Sequence, residues 1–125
     1  MANSLSSAIV RRSRKKFEDS VKKNEDAIEL KARFFGDLGL YEEEIKCYDT
    51  LLKKEPDNIE FLTNKIAALT ELKKCDEALA DCSNLLKIDS KNIVALINKG
   101  SIFGRLKNYK KAIQCFDKVL RIEPK

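Results

Sequence analysis

The chain has 125 residues, of which 36% are charged and 43% hydrophobic, so it is one domain's worth of sequence, long enough to bury a core. No apolar run approaches the roughly 18 residues of a membrane span. The absence of His rules out Cys–His and Ser–His pairs, and no CxxC pair offers a zinc site among the four Cys. With only four Gly and two Pro, long helices are favoured over hairpins of strands.

The first stretch, residues 1–24, carries the whole net charge of +5, because it holds seven Lys/Arg against two acids and the remainder is neutral. Leu5, Ile9, Ser13, Phe17 and Val21 recur every four residues, which predicts a helix from about Leu5 or Ser7 to Lys23 that caps the N-terminal end of the domain. Its other sides carry a basic patch of Arg11, Arg12, Arg14, Lys15 and Lys16. The Ser-rich opening Met1–Val10 has no basic flank before a long apolar core, so no secretory signal is expected.

From residue 25 the sequence repeats itself at a spacing of 34. Ile28, Leu62 and Leu96 share a slot, as do Phe35, Leu69 and Phe103, then Leu38, Leu72 and Leu106. In the second half of the unit Tyr48, Cys82 and Phe116 align, followed by Leu51, Leu85 and Val119 and by Leu52, Leu86 and Leu120. A fixed period of this size marks a solenoid, in which each unit buries its apolar face only by stacking on a neighbour. The units run 25–58, 59–92 and 93–125, with Ile59–Asn92 the middle copy.

Each unit reads as two helices and a tight turn. The first has Asp26–Leu38, a bend at Gly39-Leu40, and Tyr41–Lys54, stopped by Glu55-Pro56-Asp57-Asn58. The second has Ile59–Leu72, a bend at Lys73-Lys74, and Cys75–Ile88, closed by Asp89-Ser90-Lys91-Asn92. The third has Ile93–Leu106, a bend at Lys107-Asn108, and Tyr109–Ile122, stopped at Glu123-Pro124. Small residues stand where paired helices must approach: Ala32 and Gly100 in first helices, Ala78 and Ala112 in second ones.

This pattern resembles the tetratricopeptide repeat. The third unit carries most of the family's signature, with Leu96, Gly100, Phe103, Tyr109, Ala112, Phe116 and Pro124 in place; Pro56 and Asp57-Asn58 match in the first. Departures are Ile66 for the small residue of the middle unit, Glu44 for the alanine of the first, and Lys31, Lys65 and Lys99 where Leu is usual. The resemblance implies an all-α solenoid of three helix-turn-helix units behind an N-terminal basic helix, with a concave groove lined by the first helix of each unit. Carried over by position, the groove residues are Glu29, Leu30 and Arg33, then Thr63, Asn64, Ala67 and Glu71, then Ile97, Asn98, Ser101 and Arg105. Asn64 and Asn98 are equivalent, and an amide offers donor and acceptor to the backbone of an extended peptide whatever its sequence. Some members grip a chaperone's C-terminal carboxylate with a Lys/Asn/Arg clamp. Only Asn64 fits that clamp, because Glu29 and Val94 hold the lysine slots, Asn98 the arginine slot, and Arg33 an asparagine slot.

The expected function is therefore a non-catalytic interaction module for an extended peptide or partner helix, without a cofactor. Arrays of this family usually close with an extra helix, and none follows the third unit, so Ile113, Phe116, Val119 and Leu120 are expected to form an interface, including self-association as a homodimer. The basic N-terminal helix offers a further reading, contact with an acidic partner or nucleic acid, although the neutral repeats give nucleic acid no basic surface to follow. Free Cys of packing character suit a reducing compartment, so a cytoplasmic location is expected.

Overall fold

The computed structural model describes residues 2–123, with side chains from residue 7 onward. The Leu5 side chain and Pro124 lie outside the described residues. Among the described residues there are six α-helices and no strand: α1 (Ala2–Asp37), α2 (Tyr41–Lys54), α3 (Ile59–Glu71), α4 (Cys75–Ile88), α5 (Ile93–Arg105) and α6 (Tyr109–Ile122). Consecutive helices pack on one another and α3 also touches α5, so the chain is an all-α solenoid of helical hairpins.

The turns inside the hairpins repeat bond for bond. The backbone N–H of Leu40, Lys74 and Asn108 donates to the carbonyl of Phe35, Leu69 and Phe103 at 2.8, 2.9 and 2.8 Å. The N–H of Gly39, Lys73 and Lys107 donates to Gly36, Thr70 and Gly104, each at 3.0 Å. These nested bonds satisfy helix-end carbonyls and require a left-handed residue between them. Gly39 supplies it at φ 75°, whereas Lys73 and Lys107 adopt it at φ 61° against the steric preference of a side chain. Between hairpins, Asn58 and Asn92 cap α3 and α5 by accepting from the N–H of Phe61 at 3.0 Å and of Ala95 at 2.9 Å.

One boundary differs from the sequence reading. The helix expected to stop at Lys23 and the helix expected to begin at Asp26 are a single 36-residue helix. Nothing in Lys22-Lys23-Asn24-Glu25-Asp26 breaks a helix, since it lacks Pro and Gly and closes no turn. The N-terminal half of α1 therefore projects as an extension of the first hairpin instead of folding back over it, and residues 9–20 are exposed throughout.

Two apolar clusters form the core. One joins Ala32 of α1, Cys47, Tyr48 and Leu51 of α2, and Phe61 of α3. The other joins Leu62, Ile66 and Leu69 of α3, Ala78, Cys82 and Leu85 of α4, and Ala95 and Ile102 of α5. Each is completed by the first helix of the following hairpin, which is how a solenoid buries what one hairpin cannot. The Tyr48 and Phe61 rings meet across that junction with centroids 6.0 Å apart, an aromatic contact worth about 1 kcal/mol beyond its area.

The departures from the signature are explained by volume exchange. The slot pair that faces across each hairpin holds Ala32 with Tyr48, Ile66 with Cys82, and Gly100 with Phe116, so a large residue on one helix always meets a small one on the other. A Cβ added to Gly100 would stand 2.7 Å from Phe116 Cε1. Ile66 and Cys82 are both fully buried in the second cluster, so the large residue has simply changed sides. Glu44 is accommodated by Gly36, where an added Cβ would meet Glu44 Oε2 at 2.7 Å. Of the lysines in the Leu slot, Lys65 sits between Asp49 of α2 at 2.8 Å and Asp81 of α4 at 3.4 Å, and Lys31 lies 5.6 Å over the Phe35 ring. Burial alone would lower the Lys65 pKa, but the two carboxylates outweigh it and raise it.

Candidate peptide-binding groove

A cleft of about 400 Å³ opens between α1, α2 and α3. Arg33, Gly36 and Asp37 come from α1, Tyr41, Glu44 and Tyr48 from α2, and Asn64, Ala67, Ala68 and Glu71 from α3. Of the residues expected in a groove, Arg33, Asn64, Ala67 and Glu71 are thus brought together. Leu30 and Glu29 line a smaller recess of about 250 Å³ with Asp26, and Arg33 borders both depressions. Thr63 is turned to its own helix, its hydroxyl donating to Ile59 O at 2.7 Å. Ile97, Asn98, Ser101 and Arg105 lie on α5, beyond the cleft. The Arg105 guanidinium donates to Thr70 O at 3.0 Å and so finishes the end of α3.

Sequence reading missed the α2 wall. Tyr41, Glu44 and Tyr48 recur three and four residues apart, and that spacing could have put them on one face. In the sequence, Tyr48 is accounted for by its skeleton slot alone. It does pack in the core, at 1% exposure, yet it also lines the cleft, with the Asn64 amide beside its hydroxyl. Burial and then the Glu44 charge raise the Tyr48 pKa, so the phenol remains a neutral donor and acceptor near neutral pH. Burial followed by the neighbouring Asp37 charge raises the Glu44 pKa.

The cleft is acidic overall. Asp37, Glu44 and Glu71 face a single cation, Arg33. Arg33 is itself engaged, with Nη2 at 3.1 Å from Glu29 and 3.7 Å from Glu60. Arg33 and Glu60 are exposed and Glu29 is half-buried, so these pairs orient the guanidinium more than they stabilise the fold.

Two other sets of residues stand apart from the cleft. Arg11, Arg12, Arg14, Lys15 and Lys16 are exposed on the projecting half of α1. On α6, Ile113 and Leu120 are about 60% exposed, Phe116 is also exposed and Val119 is half-buried.

Residues 93–125 match the family model of the tetratricopeptide repeat. The third hairpin is thus a match to the tetratricopeptide repeat. The chain is similar to solved tetratricopeptide domains well beyond the matched unit. It is 26% identical to the first such domain of Spaghetti (RPAP3) in complex with the HSP90 peptide SRMEEVD, covering 80% of this chain and 79% of that one at a TM-score of 0.73. The tetratricopeptide domain of Arabidopsis OM64 is also 26% identical, over 80% of this chain and 83% of that one, with a TM-score of 0.74. The TPR2B domain of yeast Sti1, solved with an Hsp70 peptide, shares the fold at 23% identity and a TM-score of 0.73, over 79% of each chain. No curated protein matches the chain.

Proposed function

We propose that this protein is a non-catalytic interaction module that holds an extended peptide or partner helix in the cleft between α1, α2 and α3. The arrangement of Asn64 against the Tyr48 hydroxyl in an open acidic cleft carries this reading. The Asn64 amide pairs with ligand backbone, Tyr41 and Tyr48 give flat contact area, and Glu44, Asp37 and Glu71 select neutral or basic side chains. Asn98, Ile97, Ser101 and Arg105 extend the same path along α5. The RPAP3 domain bound to an HSP90 peptide supports peptide capture as the mode. The charges here differ from what a carboxylate clamp needs: Glu29 puts an anion in a lysine slot, and Arg33 is already neutralised by two carboxylates.

Fluorescence anisotropy with two labelled heptapeptides tests this reading. A Lys/Arg-bearing extended peptide is expected to bind with micromolar affinity, weaken at least fivefold with Asn64→Ala, and weaken further with Asn64→Ala/Asn98→Ala. SRMEEVD is expected to bind at least tenfold more weakly than the basic peptide. Micromolar binding of SRMEEVD that Asn64→Ala abolishes would overturn the acidic-cleft assignment. The exposed stripe on α6 supports a second docking face for an apolar helix, and the four free thiols suit the reducing cytoplasm.

A further inference from the structure

The projecting half of α1 carries apolar side chains that no part of the hairpins covers. Phe17 is 70% exposed and Val10 53%. They share a face with Val21, at spacings of seven and four, and that face runs on into Ile28, Ala32 and Phe35, which pack against α2. The core-facing stripe of the first hairpin thus continues for about two turns past the body of the protein.

Beside it lies a notch of about 440 Å³, in the angle between α1 and the α2–α3 connection. Phe17, Val21 and Phe61 give it an apolar floor. Its charged lining is Glu18, Glu25, Asp26, Glu29, Glu55 and Glu60 with Lys22, and although Arg33 pairs with Glu29 and Glu60 and Lys54 with Glu25 at its border, acids outnumber these cations. A ligand that fits must be apolar on one side and basic beside it, and residues 10–17 of this same chain have that character.

The pattern of charges selects the arrangement. Arg11, Arg14, Glu18, Lys22, Glu25 and Glu29 follow one another at three- and four-residue steps, along the edge of α1 that borders the apolar stripe. Their signs read plus, plus, minus, plus, minus, minus. Reversed in direction, this series meets itself with opposite sign at every position. An antiparallel pair related by a twofold axis at Ser20 sets Arg11 level with Glu29 of the second copy, Arg14 one step from Glu25, and Lys22 level with Glu18. In that register no two like charges stand level anywhere between residues 7 and 33. The apolar stripe meets itself as well, because Phe17 falls between Val21 and Asn24 of the second copy. In an antiparallel helix pair each edge faces its own copy, which is the geometry a self-complementary edge serves.

We propose that the projecting half of α1 is a self-association arm, by which two copies pair antiparallel and each lays its Val10–Phe17 segment over the other's acidic notch. The α6 stripe serves such a twofold contact poorly, since its flanks carry Lys110, Lys111, Lys118 and Arg121 with only Asp117 to oppose them.

Sedimentation velocity across 5–300 μM protein in 50 mM and 500 mM NaCl, on the full chain, provides the test. The expected result is a monomer–dimer equilibrium at low salt that shifts at least tenfold toward monomer at high salt. Arg11→Glu/Arg14→Glu and Glu25→Lys/Glu29→Lys are each expected to abolish the dimer, with helicity by circular dichroism unchanged because all four residues lie at or near the surface. Mixing the two variants is expected to restore association, because the reversed arm of one then meets the reversed notch of the other, and the native arm meets the native notch. Ile113→Glu/Leu120→Glu is expected to leave the dimer intact, and Asn64→Ala to change peptide binding without changing association. A monomer at 300 μM in 50 mM salt, an equimolar mixture that stays monomeric, or a dimer lost only through the α6 variant would each overturn the proposal.

Discussion

The middle hairpin departs most from the tetratricopeptide signature and is the best buried, while the third hairpin carries most of the signature and leaves its second helix largely exposed. In the middle one, Ile66, Leu69, Ala78, Cys82 and Leu85 have no solvent exposure. In the third, α6 buries only Ala112 and Cys115 and leaves Tyr109, Ile113, Phe116 and Leu120 open. A signature match reports whether two helices can pair within a unit. Burial depends on what stacks against the pair, and α4 is flanked by α3 and α5 while α6 touches α5. Apolar side chains thus carry different energy in different hairpins. Leu69→Ala is expected to cost roughly 3 kcal/mol of unfolding free energy, from lost transfer energy and the cavity left behind. Leu120→Ala is expected to cost under about 0.5 kcal/mol. Urea denaturation followed by circular dichroism compares them, and equal costs would mean that α6 is covered in solution.

The contrast sharpens at the volume-exchange pair. Gly100→Ala fills space that Phe116 and Cys115 already occupy, with an added Cβ 2.7 Å from the ring and 3.2 Å from Cys115 Cβ. Its gain in helix propensity, about 1 kcal/mol, is outweighed by overpacking of about 2 kcal/mol, so a net loss near 1 kcal/mol is expected. Phe116→Leu should recover most of that loss in the double mutant. A Gly100→Ala that stabilises on its own would mean the Phe116 ring swings freely out of its slot.

Much of this architecture was legible in the sequence because a 34-residue period reports the same slot three times. Positions such as Leu62, Leu69 and Leu85 follow from the apolar agreement between copies, and the three bends fall where the nested turn bonds are found. What the period could not report was anything present once. The continuity of α1 across Asn24 has no counterpart in the other hairpins, and an absent stop signal is harder to read than a present one. The α2 wall of the cleft was hidden for a different reason: Tyr48 serves core and cleft together, and Glu44 breaks the alanine slot only because Gly36 makes room opposite. The exchange of Ile66 with Cys82 is a pairwise property, invisible when each column of the repeat is read alone.

The bends offer a smaller and opposite effect. Gly39 holds its left-handed conformation without penalty, and Lys73 and Lys107 hold the same one with a side chain. Lys73→Gly and Lys107→Gly are each expected to stabilise by roughly 0.5–1 kcal/mol, net of the entropy that glycine adds to the unfolded chain. Gly39→Lys should cost a similar amount. Thermal melts of the three variants at one protein concentration check the symmetry, and a destabilised Lys107→Gly would show that its side chain makes a contact that matters.

The smallest effect separates the first hairpin from the other two through pH. Glu44 stands where the equivalent residues are Ala78 and Ala112, and burial, then Asp37, raises its pKa above the ordinary 4.5. The folded state therefore binds the proton more tightly than the unfolded chain, so this group costs nothing below the unfolded value. Its cost grows as pH rises through the folded value and is complete above it. Solvent screening at this half-buried site limits the cost to a few tenths of a kcal/mol. Glu44→Gln is expected to remove that slope between about pH 4 and pH 7 in urea midpoints, and Asp37→Asn to reduce it, while Glu71→Gln, farther along the cleft, leaves it unchanged. Glu44→Gln should also weaken a basic peptide at pH 7 without affecting a neutral one, because the same carboxylate that strains the first hairpin supplies charge to the cleft. If the slope disappears but the basic peptide binds as before, Glu44 belongs to packing alone, and Asp37 and Glu71 select the ligand.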